Sequence, residues 1–456
     1  MNNNITGGVI WKQLLLFFFP IWFGTFFQQL YNTADAVIVG NFVGKGALAA
    51  VGTTAVVQNL LVGFFVGVAS GASVVISQYY GARQGAQVQR AVHTAMAMAL
   101  LGGVGIMLIG LAASRWALSI MNTPADVMED AVLYLRICFL GMVPSLIYNM
   151  GTGILRAVGD SKRPLYFLIC ASLTNIVLDM VLVAILGMGV AGAALATVAS
   201  QCVAAGMTVM SLTHTTACYR FVPAYLQLDK EMVEKIVRIG LPAGLQSVMY
   251  SLSNSVVQTS INSFGTDVVA AYTAYGKIDS IFWMTMNSFG LSITTFVGQN
   301  FGAGQYDRVK KGVRQCALMA FVATGLLMAV TLAFGSALFR LFVQDAPVIQ
   351  QGVEILHYVV PFWPTYVLIE ILSGSVRGAG DSLIPMIMTS IGVCVTRILW
   401  VLTVVDAVWP TLIGALACYP VSWSLTSLFF LAYYLQGGWL RRCIRVREAA
   451  QTEQPA

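Results

Sequence analysis

Charge is scarce in this chain. Only 10% of its 456 residues are Asp, Glu, Lys or Arg, and three are His. Soluble domains carry about 25% charged residues. With 58% hydrophobic residues and a mean hydropathy of +0.78, the apolar surface is too large to hide in a water-soluble core. Lipid is the alternative solvent, and it admits only helices and closed barrels. Short alternating segments, the barrel signature, are missing. Apolar runs of about 20 residues take their place, which is helix length for a bilayer about 30 Å thick.

Other absences narrow the chemistry. The eight cysteines, Cys138, Cys170, Cys202, Cys218, Cys316, Cys394, Cys418 and Cys443, contain no CxxC pair, so zinc and thiol-redox motifs are missing. Most lie in apolar runs, where cysteine acts as a small hydrophobe. No HExxH or nucleophile-elbow motif occurs, which argues against a membrane enzyme. No basic stripe lies on a soluble domain, so nucleic acid is not an expected partner. The start, MNNNITGGVIWK, lacks a signal peptide's basic segment, and the apolar run after it is too long for one. His93, His214 and His357 are isolated.

Twelve spans are expected, at roughly 13–40, 48–77, 91–113, 132–155, 164–186, 190–213, 237–262, 269–297, 313–335, 353–376, 384–405 and 411–435. The tail from 437 is polar and is expected to be disordered at its end. With both termini on the cytoplasmic side, that side collects 19 Lys and Arg residues against 4 outside, Lys45, Arg115, Arg136 and Arg340. This bias sets the orientation.

The two halves repeat. Gln78-Tyr79-Tyr80-Gly81-Ala82 matches Gln299-Asn300-Phe301-Gly302-Ala303, and Arg156-Ala157-Val158-Gly159-Asp160 matches Arg377-Gly378-Ala379-Gly380-Asp381. Both pairs are offset by 221 residues, as are Pro164 and Pro385; Pro20 and Pro242 match with one extra residue. The RxxGD and RGAGD segments read as helix stop, Gly turn and Asp cap. Each half has an even number of spans, so the repeats are parallel, as in one class of transporter. The expected lobes are 1–218 with six spans and 219–456 with six more, around a charged linker at 215–236. The fold class is an all-α integral membrane protein of two pseudo-symmetric six-helix lobes.

Polar side chains in lipid are costly and default to function. The first span carries Gln28, Tyr31, Asn32 and Asp35, at spacings that share a helical face. The fifth carries Asn175 and Asp179, four apart, and Thr197 lies early in the sixth. At 1.5 Å per residue, Asp35 falls roughly 8 Å below the outer end of its span, and Asp179 and Thr197 roughly 10 Å. Two carboxylates in one dry pocket need help: one holds a proton, or a cation sits between them. Oxygen ligands suit a hard cation. The plainer alternative is that each acid only bonds a neighbouring helix. The second half has Val256 or Val257, Thr396 and Trp400 at the matching positions, so the fold alone does not demand the acids. That half has its own deep charges. Lys277 and Asp279, or Arg397 and Asp279, are candidate pairs, and Glu370 and Asp279 are candidate cargo contacts.

These residues resemble the MATE (multidrug and toxic compound extrusion) transporters over nearly the whole chain. The resemblance rests on Pro20 with Gln28-Gln29-Leu30-Tyr31-Asn32-Thr33-Ala34-Asp35 and Gly40, on Asn175, Asp179 and Thr197, and on the repeated QxxGA loops. It implies a monomeric, cofactor-free antiporter in the plasma (inner) membrane that exports small, often aromatic organic cations. Inward flow of sodium ions or protons drives it. It implies a cation-coupling site at Asp35, Asn175, Asp179 and Thr197, holding Na+ in the sodium version, and a bend in the first helix at Pro20. A lipid-linked oligosaccharide flippase of the same superfamily is the runner-up. The acidic excess of Asp35, Asp179, Asp279 and Glu370 over Lys277 and Arg397 favours cationic cargo over pyrophosphate.

Overall fold

The computed structural model describes residues 5–452, except Asn122 and Asp406. Among the described residues all regular structure is helical: α1 Ile10–Phe42, α2 Lys45–Gly81, α3 Gly85–Ile120, α4 Ala125–Leu140, α5 Met142–Ala157, α6 Lys162–Asp179, α7 Gly189–Thr213, α8 Lys230–Asn262, α9 Thr266–Gly302, α10 Tyr306–Arg340, α11 Ala346–Val359, α12 Trp363–Gly378, α13 Leu383–Thr389, α14 Thr396–Leu399, α15 Leu412–Leu416, α16 Cys418–Leu435 and α17 Gly438–Thr452. Nine helical stretches in this region are long and apolar enough to cross a membrane, and a tenth forms if α4 and α5, bent by 47° at Gly141, count as one. The remaining two spans are α8 and α9. Both are long, with 33 and 37 residues, but Ser, Thr, Asn and Gln dilute their apolar character. With them the count is twelve, in the order expected.

The chain packs as two compact units, one of Phe19–Gly244 and one of Ile5–Phe18 with the chain from Leu245 onward. In the first unit α2 packs on α3, α4 and α5, and α7 on α5 and α6. In the second α9 packs on α10, α11 and α12, and α16 on α12. The backbone repeats this symmetry in detail. Left-handed φ values recur at Gly44 (108°) and Gly265 (106°), at Gly159 (91°) and Gly380 (101°), and at Arg83 (58°) and Gly304 (72°). Each pair is 221 residues apart. Asp160 accepts from the backbone N–H groups of Lys162 and Arg163, and Asp381 from that of Ile384. Each therefore caps the helix that follows.

One expectation changes. The helices run several residues past their apolar stretches; α3, for example, extends over Gly85–Ile120. Charged residues such as Arg90 and Arg115 can extend a helix into the water beyond the bilayer. The polar tail forms α17 over Gly438–Thr452, and the disorder expected at its end falls on residues 453–456, outside the described residues. Trp439 stacks on Tyr434 with ring centroids 5.7 Å apart, and Arg447 donates to the carbonyls of Phe301 and Gly302. That arginine satisfies the Gly302 carbonyl at the end of α9 and joins the Gly304 N–H on that of Phe301.

The linker is fixed in the first unit by charge. Arg90 Nε and Nη2 donate to Asp229 Oδ2 at 2.9 and 2.6 Å. Lys235 Nζ pairs with Glu231 and donates to Tyr79 Oη, and His93 Nε2 accepts from Val222 N–H at 3.0 Å. Burial pushes the Asp229 carboxyl up, but the Arg90 hydrogen bonds outweigh it and hold the group below its ordinary 3.8. A depressed carboxyl stabilises the fold above the unfolded-state value, and that contribution fades as pH falls through the folded-state value. Asp229→Asn should therefore lower the melting temperature at pH 7 and cost much less at pH 3. Melting curves at the two pH values check this; equal losses at both would remove the ion pair as the cause.

Candidate functional site

The sharpest anomaly in the first unit is a group of buried polar atoms without partners. Asn175 and Asp179 are fully buried on α6, one turn apart. Among the described residues, neither Nδ2 nor Oδ1 of Asn175, neither carboxylate oxygen of Asp179, and not Oδ1 of Asp35 has a hydrogen-bond partner. Asp35, from α1, faces Asp179 closely enough for the two carboxyl groups to interact side chain to side chain. Buried polar groups are nearly always satisfied, so each orphan needs a reason. Two ionised carboxylates are acceptors only, so neither can satisfy the other. A bound cation would satisfy them, and so would one shared proton. Directly after Asp179 the backbone winds as a π-helix over Met180–Ile185. Such insertions cluster at functional sites, because they displace backbone groups from the helical ladder.

The other first-unit candidates divide. Tyr31, one turn before Asp35, turns inward with it and bonds the Gln28 side chain. Gln28 and Asn32 are exposed. Thr197 spends its proton on the Ala193 carbonyl at 3.0 Å, which leaves its lone pairs free. It lines a cavity of about 30 Å³ with Gln58, Cys138, Ser145 and Gln201, room for a water molecule. Cys138 interacts with Gln58 and Tyr134 and lies within electrostatic range of Asp35. Pro20 lies inside continuous helix α1, two residues past the point where the chain passes from one unit to the other. Its missing N–H leaves the Leu16 carbonyl without an intrahelical partner.

The second unit holds its charges differently. Asp279 is met by three neutral donors: Tyr275 Oη and Trp363 Nε1 at 3.1 Å on Oδ1, and Trp283 Nε1 at 2.6 Å on Oδ2. Lys277 forms no pair with it; residues two apart on a helix point to different faces, and Lys277 is exposed. Arg397 lies within electrostatic range of Asp279 without touching it. Glu370 Oε2 accepts from Tyr366 Oη at 3.2 Å. Its Oε1 sits so close to Gly290 that a Cβ there would be 2.0 Å away. Tyr366 Oη in turn meets Tyr250 Oη at 3.5 Å. On α8, Ser251, Asn254, Ser255 and Gln258 form a polar stripe, and Asn254 and Ser255 are exposed. A polar stripe of this kind suits water better than lipid.

The MatE family model matches residues 20–181 and again 242–403. The chain belongs to the MatE family. It is therefore a membrane transporter with two repeats, not an enzyme. Among its relatives is the probable multidrug resistance protein YoeA of Bacillus subtilis, 29% identical over 93% of both chains. The probable multidrug resistance protein NorM of Thermotoga maritima is 24% identical over 96% of this chain and 95% of that one. The fold matches a solved multidrug resistance MATE family transporter of the MOP superfamily in an outward-facing conformation, with a TM-score of 0.90. The identity there is 23%, over 97% of this chain and 99% of the other.

In this MatE transporter, sequence reasoning passed over Tyr134, Cys138 and Gln58. Tyr134 and Cys138 are one turn apart on α4. Gln58, a lone amide deep in the second apolar run, was the available signal.

Proposed function

We propose that this MatE transporter exports small organic cations, drug-like and aromatic, by antiport with sodium ions or protons. The observation that carries the reading is the facing pair Asp35 and Asp179, with three unpartnered oxygens, beside the unpartnered amide of Asn175. A cation-coupling site must exist in two electrostatic states, and acceptors with no donor are suited to both. In the sodium version Asp35, Asp179, Asn175 Oδ1 and Thr197 Oγ1 supply hard oxygen ligands. In the proton version the two carboxyls share a proton that leaves as the carrier cycles. Pro20 is the proposed hinge of α1. Glu370, reached through Tyr366 and Tyr250 from the polar stripe on α8, is the proposed cargo contact, with Gln28, Tyr31, Asn32 and Asp279 as further candidates. The protein would act as a monomer in the plasma (inner) membrane, with both termini cytoplasmic. The multidrug resistance names of its relatives support this over the oligosaccharide-flippase alternative.

Dye efflux from proteoliposomes under an imposed inward sodium or proton gradient tests the proposal. One of the two gradients, at fixed value of the other, should drive export of a cationic dye. Dye movement indifferent to both would refute antiport. In the same assay Glu370→Gln should raise the KM for the dye about tenfold, as loss of a charged contact in a dry site does. The gradient dependence should remain.

A further inference from the structure

Arg397 has no role in the reading above, and its surroundings are unusual. It is 1% exposed, on the short α14 turn, with π-wound backbone on both sides at Ser390–Val395 and Trp400–Val405. Its donors go to neutral groups. Nε donates to Ser422 Oγ at 3.1 Å and Nη1 to Asn254 Oδ1 at 2.8 Å, while Nη2 has no partner. The guanidinium lies over Tyr419 at 4.5 Å and Trp423 at 5.8 Å. Among the described residues no carboxylate comes within 4.0 Å of it. A buried ion with no counter-ion in contact is costly, and the fold does not require this one. The residue 221 positions earlier, on the equivalent helix, is Ile176.

We propose that Arg397 is an anion subsite that takes the carboxylate of zwitterionic aromatic cargo. The subsite deepens the proposed export of organic cations and rests on that reading for the cargo's cationic end. Asn254 offers the entry, because it is exposed on α8 and its amide oxygen is a neutral occupant of Nη1. A carboxylate arriving there replaces that oxygen and supplies the acceptor that Nη2 lacks. The result is the two-pronged geometry that guanidinium groups favour. Depth argues for cargo over a lipid headgroup: Arg397 lies about 12 Å along its helix from Val405, well below the interface. The rival explanation is that Arg397 only balances Asp279 across the unit. In that case its loss would disturb every ligand alike.

A matched pair of dyes separates these readings. Tetramethylrhodamine with a free carboxylate is a zwitterion, and its methyl ester is a plain cation with the same rings. Fluorescence anisotropy on the purified full-length protein in lipid nanodiscs reads both. The wild type should bind both. Arg397→Gln should weaken the free acid about tenfold or more and leave the ester within about twofold. Asn254→Asp is the second variant. It places a carboxylate against Nη1 and should exclude the acid dye while keeping the ester, and it decides the matter if Arg397→Gln does not fold. The inference is overturned if the wild type does not bind the acid, if the variants weaken both dyes equally, or if they leave the acid unchanged. Failure of the export reading is a separate result, in which the dyes bind with this selectivity but no gradient moves them across proteoliposomes.

Discussion

Asp35→Asn is expected to reduce gradient-driven dye export to the level of empty vesicles, with folded protein still in the membrane. The reason lies in donors and acceptors. As they stand, Asp35 and Asp179 present oxygens that no protein donor reaches, so the pair draws in a cation or a proton. An amide at position 35 keeps the size of the side chain but brings two N–H donors. One of them satisfies Asp179 permanently. The site then needs no external cation, and its two states become one. A hydrogen bond to a charged group contributes about 1.5–3 kcal/mol, so the variant should be at least as stable as wild type and melt at the same temperature or higher. Asp179→Asn should act in nearly the same way from the other side. Asn175→Ala separates the two versions, because it removes an oxygen ligand but no titrating group, and it should harm sodium coupling more than proton coupling. Export by Asp35→Asn that still responds to a gradient would end the assignment of the coupling site.

What made this site visible in the sequence was cost. A carboxylate in an apolar run is expensive enough to stand out unaided, and the mismatch between the two repeats marked it as a candidate that the fold alone does not demand. The repeat itself was legible because Gly and Asp hold backbone positions that few residues can fill. Gly159 and Gly380 occupy left-handed turns, and the aspartates beside them cap the next helices. The neighbourhood of the site was harder to read. Tyr134 and Cys138 are ordinary in a span, and nothing in their spacing says that they turn toward Asp35. Thr197 was placed by depth alone. Depth cannot show that it lines a small cavity with Gln58 and Gln201. The Lys277–Asp279 pairing failed for a local reason, helical geometry, while the true partners of Asp279 include Trp363 on a different helix. Such distant partners are set by packing and leave no periodic trace.

Packing also sets the second large effect. Gly71→Val should leave little folded protein in the membrane. In the first unit the start of α8 crosses α2 with backbone against backbone. A Cβ on Gly71 would lie 2.5 Å from the Gly240 nitrogen and 2.5 Å from the Ile236 carbonyl oxygen, and one on Gly67 would lie 2.3 Å from the Gly244 nitrogen. The fit is reciprocal: a Cβ on Gly240 would meet the Val68 oxygen at 2.8 Å, and one on Gly244 the Phe64 oxygen at 2.6 Å. Small residues four apart on both helices permit this approach, the usual way membrane helices gain contact where the hydrophobic effect gives none. The obstructing atoms are main chain, so no side chain can rotate aside and the helix itself must move. Overpacking costs about 1–3 kcal/mol where side chains yield, and here the loss should be at the upper end or beyond. Pro242 lies on the same stretch of α8. Gly206→Val is the control, because nothing lies within 4 Å of a Cβ there and its backbone is ordinary helix. Detergent-solubilised yield and melting temperature should collapse for Gly71→Val and hold for Gly206→Val. Equal behaviour of the two variants would mean that α2 and α8 do not meet through their backbones.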